Sequence, residues 1–289
     1  MKSKHLIILA AIATVVVFAI VSTRIVEDDS KTSTETTTST VDSESNLPLN
    51  ISIFLDLSDR LDRELVPTQF DRDTAIIGTL VKLFIEDCVH NGRIINSENH
   101  FQIFFHPIPN STEIATLASG LNFDMSSTPI AEKKKVLIEM REKICTNVSQ
   151  IYQNTLAAKS WPGSDIWAFF TDKKVDTQCI RKGYRNLLVI LTDGYLYYER
   201  NKRQNGNAYS YVLPQTLKNP ESSLIVGRDG LDNLEVLMLE VNPYEPLQRN
   251  KLIRVIEDWF KGMGVTHFVV ADTDLPVNTE TVIKSFIKQ

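Results

Sequence analysis

From residue 51 to the C-terminus, apolar runs too short to be helices alternate with segments of helical period, and few folds accommodate that rhythm. Ile51–Leu57 (ISIFLDL), Phe101–Phe105, Leu187–Thr192 (LLVILT), Leu234–Val241 and His267–Ala271 read as strands, several of them apolar on both faces as in a parallel sheet. A short edge strand is expected near Leu121–Met125. Between the strands, Asp73–His90 places Ile76, Ile77, Leu80, Leu83 and Phe84 at helical spacing, and Gly92 is positioned to stop that helix. Pro129–Lys159 carries Leu137, Met140, Ile144, Val148 and Ile151 on one stripe. Ile166–Lys182, Leu247–Lys261 and Asn278–Ile287 read as further helices. The expected fold class is α/β: a doubly wound, mostly parallel sheet with helices on both faces, in residues 47–289.

The 46 residues before it follow other rules. Leu6–Val21 is 16 residues without a charge or proline, preceded by Lys2 and Lys4 and followed by Glu27, Asp28 and Asp29. At ~1.5 Å per residue the run covers about 24 Å. Residues 1–24 therefore read as a single-pass membrane anchor, or as a signal segment if cleaved. The charge bias places the rest of the chain outside the cytoplasm, periplasmic or extracellular, and secreted in the cleaved case. From Ser22 to Asn46, 13 of 25 residues are Ser or Thr and six are acidic. Residues 25–46 have too little to bury to offset ordering entropy, and read as a disordered tether.

Composition removes several function classes. The net charge of −5 lacks the basic footprint of a nucleic-acid binder, so none is expected as a partner. Cys88, Cys145 and Cys179 are too few for a disulfide scaffold and show no zinc spacing. Asn50, Asn110 and Asn147 each begin an N-x-Ser/Thr sequon.

Three polar clusters sit where strands end and loops begin. They are Asp56-Leu57-Ser58-Asp59-Arg60, Gly163-Ser164-Asp165-Ile166 and Thr192-Asp193-Gly194. Singly, each reads as a turn or a helix cap. Together they bring carboxylates and hydroxyls to the carboxyl ends of strands, where α/β folds bind ligands. Oxygen donors of this kind suit Mg²⁺ or another hard divalent cation.

The order DxS…GSDI…(apolar strand)TDG resembles the von Willebrand factor A domain family over roughly residues 48–289. That resemblance implies a metal-ion-dependent adhesion site, with Asp56 and Ser58 as the first two positions of a DxSxS loop, Ser164 as the loop hydroxyl and Asp193 as the third motif. Thr128 is a weaker candidate for that hydroxyl. The last Ser of DxSxS is Arg60 here, and a guanidinium offers a cation no acceptor. Arg60 either swings outward, or folds inward to pair with Asp56 or Asp193 in place of the metal's charge.

After Asp193, Tyr195, Tyr197 and Tyr198 lead to Asn205-Gly206, with Tyr209 and Tyr211 beyond, which reads as a hairpin with a basic tip at Arg200, Lys202 and Arg203. Aromatic and Arg side chains suit protein recognition. A partner surface is thus expected at Asp59, Arg60, Asp165, Tyr195, Tyr197 and Arg203. The function expected is a tethered extracytoplasmic binding module for a protein. The alternatives are a metal-dependent hydrolase using Asp56, Asp59 and Asp193, or a structural subunit of an envelope complex with a lost metal site. No histidine falls in any cluster and no GxSxG elbow is present, so no catalytic residue is assigned.

Overall fold

A sheet of six strands organises the chain: β1 (Leu49–Leu55), β2 (His100–Phe104), β3 (Asn122–Asp124), β4 (Arg185–Leu191), β5 (Leu234–Val241) and β6 (His267–Asp272). The computed structural model describes residues 47–159, 161, 163–195, 204–205, 208–209, 229–243, 247 and 249–288. The expected anchor (1–24) and tether (25–46), Tyr197 and Arg203 lie outside the described residues. The strand order is β3-β2-β1-β4-β5-β6, and every neighbour pair is parallel except β2 with the edge strand β3. Order therefore reverses between β1 and β4, the topological switch point at which open α/β sheets bind ligands.

The helices are α1 (Gln69–Val89), α2 (Thr112–Ser119), α3 (Ile130–Ala158), α4 (Ile166–Thr171), α5 (Lys174–Cys179), α6 (Arg249–Gly262) and α7 (Pro276–Ile287). Side chains alternate across the strands, so each face collects its own core. Ile51, Ile53, Leu55, Leu187, Val189 and Leu191 pack with α1, α3 and α7. Phe54, Leu188, Ile190, Val236 and Met238 pack with α4, α5 and α6.

Register is pinned at the amino ends by buried amides. Asn50 sits opposite both His100 and Asn186. Its amide donates to Asn186 Oδ1 and to the Cys179 carbonyl, both at 2.8 Å. A slip of one residue would expose these groups unpaired in the core.

Several boundaries differ from the sequence expectation. Helix α1 begins at Gln69, four residues earlier, because Thr68 and Asp71 form a reciprocal cap. The expected helix Ile166–Lys182 is two short helices, broken where Lys173 adopts a left-handed φ of 56°. Helix α2 was not expected; Ser111 accepts from Ile114 N to start it, and Gly120 follows its end. Gln204 pairs with Tyr209 and Asn205 with Ala208 as a short antiparallel ribbon. Cys88, Cys145 and Cys179 are free thiols. No described helix is long and apolar enough to cross a membrane.

Candidate functional site

Strand β1 ends at Leu55, and the next residue carries the first acid of the rim. Asp56 N donates to the Leu191 carbonyl at 3.1 Å, so β1 and β4 stay joined up to the point where they release their loops. Across that seam Thr192 Oγ1 donates to Asp56 Oδ2 at 2.8 Å. On its other oxygen Asp56 accepts from Ser58 N, also at 2.8 Å. Ser58 then caps the 3-10 turn Asp59–Asp62.

The second loop docks on the first through backbone. Leu57 and Gly163 form an isolated antiparallel bridge. Gly163 has a φ of 74°, where a side chain would be strained, which explains glycine before Ser164. Ser164 is 3% exposed, and its Oγ is buried without a hydrogen-bond partner. Asp165 is also buried. It caps α4 by accepting from Ala168 N, and its own N donates to the His106 carbonyl.

The third loop closes the site. Asp193 is 5% exposed and accepts from Arg63 at 3.1 Å and from Tyr195 N at 3.2 Å. Arg63 also donates to the Asn242 carbonyl, joining the first loop to the end of β5. Gly194 is at φ 97°, and a Cβ there would meet Val241 Cγ1 at 2.8 Å, so this turn accepts only glycine. The structure thus brings Asp56, Ser58, the Gly163–Ser164 loop and Asp193 to one rim at the switch point.

Arg60 folds inward and is 1% exposed; it pairs most closely with Asp73 on α1, which the three clusters do not include, and more distantly with Asp56. The guanidinium reaches both Asp73 oxygens, at 2.7 and 3.4 Å, and its Nε donates to the Asp56 carbonyl. Asp73 also accepts from Gln69 Nε2 at 3.0 Å and from the Tyr152 hydroxyl. The Arg60 guanidinium is 4.0 Å from the Asp56 carboxylate.

Burial offers neither Arg60 nor Asp165 to a partner. Asp59 is exposed and Tyr195 half-buried. Thr128 lies elsewhere: it donates to the Asp124 carbonyl, and Asp124 pairs with His100 at the amino end of β2. It lines a cavity of about 330 Å³ between β3 and α3.

The electrostatics follow from burial. Asp56 is shifted upward because burial disfavours its charge more than Arg60, Thr192 and Ser58 restore it. Asp193 is pushed up to about 7, by burial first and by the Asp56 carboxylate second, with Arg63 opposing. Burial alone would lower Arg60, but Asp73, Tyr152 and Asp56 more than offset it and hold the guanidinium charged. Burial thus raises both rim acids even though Arg60 lies near Asp56 and Arg63 sits on Asp193.

Those features decide whether a hard cation suits the residues present. Two carboxylates and two hydroxyls supply oxygen donors and the Ser164 hydroxyl is uncommitted, so the donor set fits Mg²⁺ once Arg63 leaves Asp193. Among the described residues no group of three or more His, Cys, Asp or Glu is arranged to hold a metal, so hydroxyls and water must complete any shell.

Arg63, Asp73, Gln69 and Tyr152 stand outside the three clusters that the sequence marks, whereas Thr192 belongs to one of them. Asp73 had a signal, since it sits with Gln69 on the apolar stripe of Ile76, Ile77 and Leu80. An acid on a core stripe demands a buried partner. Comparison with known protein families and with curated proteins finds no match to this chain.

Proposed function

We propose that residues 47–289 form a doubly wound domain similar to the von Willebrand factor A family, held outside the cytoplasm by residues 1–24, that engages a protein partner at the carboxyl-end rim. The observation that supports this reading best is the joining of Asp56 to Thr192 across the β1–β4 seam, with the Ser164 loop docked beside it. A divalent cation would be held by Asp56, Ser58, Ser164 and Asp193, and would offer an open coordination position to a partner's carboxylate. Thr192 and the Ser58 amide orient the Asp56 carboxylate for that role, and the buried Ser164 hydroxyl has no hydrogen-bond partner of its own.

Arg63 favours a second reading. Its guanidinium already sits on Asp193, so it stands in for the cation in a metal-free structural subunit. Calorimetric titration of the full chain in detergent with Mg²⁺ and Mn²⁺ separates the two. The cation reading expects saturable binding that strengthens from pH 6 to pH 8, because Asp193 must shed its proton. Asp193→Ala should abolish it, and Arg63→Ala should tighten it. No binding to wild type or to Arg63→Ala at millimolar cation would leave the metal-free reading.

A further inference from the structure

The loop between β1 and α1 and the segment after β6 are fastened to each other by one side chain. Arg72 donates to the carbonyls of Val66, Pro67 and Asp274, and its guanidinium is 4.0 Å from Glu240. The two segments are therefore braced against each other, and each carries exposed aliphatic side chains. Val66 is 94% exposed, Leu275 54% and Val277 64%. Exposed aliphatic side chains gathered on a braced surface mark an interaction site more than scattered ones do.

The exposed charge beside them is mostly acidic. Asp59, Asp62, Glu64, Asp272 and Asp274 are exposed on the same segments. The basic residues there are spent: Arg60 on Asp73, Arg63 on Asp193, Arg72 beside Glu240. Arg249 leans on Asp272 at 3.3 Å. A surface of this kind repels an anionic lipid headgroup layer. It also repels a symmetry-related second copy, because a two-fold contact sets each acid against its own kind.

We propose that the Val66–Leu275–Val277 surface docks a basic segment of a protein partner, with Lys or Arg meeting the acidic border and aliphatic side chains meeting the three apolar ones. The proposal rests on the reading that a partner binds at this rim, and it names the chemistry of that partner.

The test uses the full chain in its native membrane. A photoreactive benzoylphenylalanine replaces Val66, Leu275, Tyr195 or, as a control on the far helix face, Ile138. Adducts are expected at 66 and 275 and not at 138, and mass spectrometry should find a crosslinked peptide of net positive charge. Asp62→Lys combined with Glu64→Lys should cut the yield by about five-fold or more. Two exposed side chains change there, so the same variant's unfolding midpoint checks that the fold is intact. A neutral or acidic peptide, a lipid or a second copy of this chain at 66 and 275 overturns the proposal. An adduct at 195 alone overturns it while leaving partner binding at the rim standing; no adduct at 66, 195 or 275 removes both.

Discussion

Arg60→Ala is expected to lower the unfolding free energy by about 3–5 kcal/mol, the usual cost of removing one partner of a buried ion pair. Asp73 would be left fully buried, with only Gln69 and Tyr152 as donors. Domains of this size have about 5–15 kcal/mol in hand, so the variant should sit near the edge of folding. Urea denaturation of both proteins measures the loss. Arg60→Ser, which would supply the missing hydroxyl of the DxSxS pattern, should carry a similar cost. Arg60→Met combined with Asp73→Leu should recover only part of it, because Asp56 then loses the cation 4.0 Å away and the buried Tyr152 hydroxyl loses its acceptor. A loss under about 1 kcal/mol for Arg60→Ala would mean that the Arg60–Asp73 pair is not what holds this layer together.

The second large effect runs in the opposite direction. Asp193→Asn should stabilise the domain at pH 8 by about 2 kcal/mol and do little at pH 4. Asp193 keeps its proton up to about 7 in the folded chain, against an ordinary value of 3.8. Between about pH 4 and pH 7 the folded state therefore binds more protons than the unfolded one, and stability falls as pH rises through that window. At ~1.4 kcal/mol per unit the full penalty is about 4–5 kcal/mol. Losing the Arg63 contact takes back part of the gain. Asp56 and Glu240, also shifted upward by burial, add slopes of the same sign, so the measured quantity is the wild-type minus variant difference across pH. A difference that is flat from pH 4 to pH 8 would show that Asp193 is not held short of charge.

What the sequence made legible was local. Asp56, Ser58 and Asp193 stand directly after apolar runs, and that position alone puts them at the carboxyl ends of strands. Ser164 required chain order as well, and Thr128, with the same hydroxyl, turned out to lie at the opposite end of the sheet because β3 runs antiparallel. The ties that complete the rim are long-range. Arg63 reaches Asp193 across 130 positions, and Tyr152 reaches Asp73 across 79. No periodicity encodes such pairs. The break at Lys173 was illegible for another reason: a left-handed residue that is not glycine gives no compositional warning.

Binding of a cation at the rim requires Asp56, Ser58, Ser164 and Asp193 to act as one donor set. A crystal of the protein soaked in MnCl₂ at pH 8, measured for anomalous scattering, tests that most directly. The account predicts one strong peak about 2.1 Å from the Ser164 hydroxyl and the carboxylates of Asp56 and Asp193, with Arg63 displaced from Asp193. A structure that keeps Arg63 on Asp193 with no peak at the rim, or with manganese bound elsewhere, would contradict it.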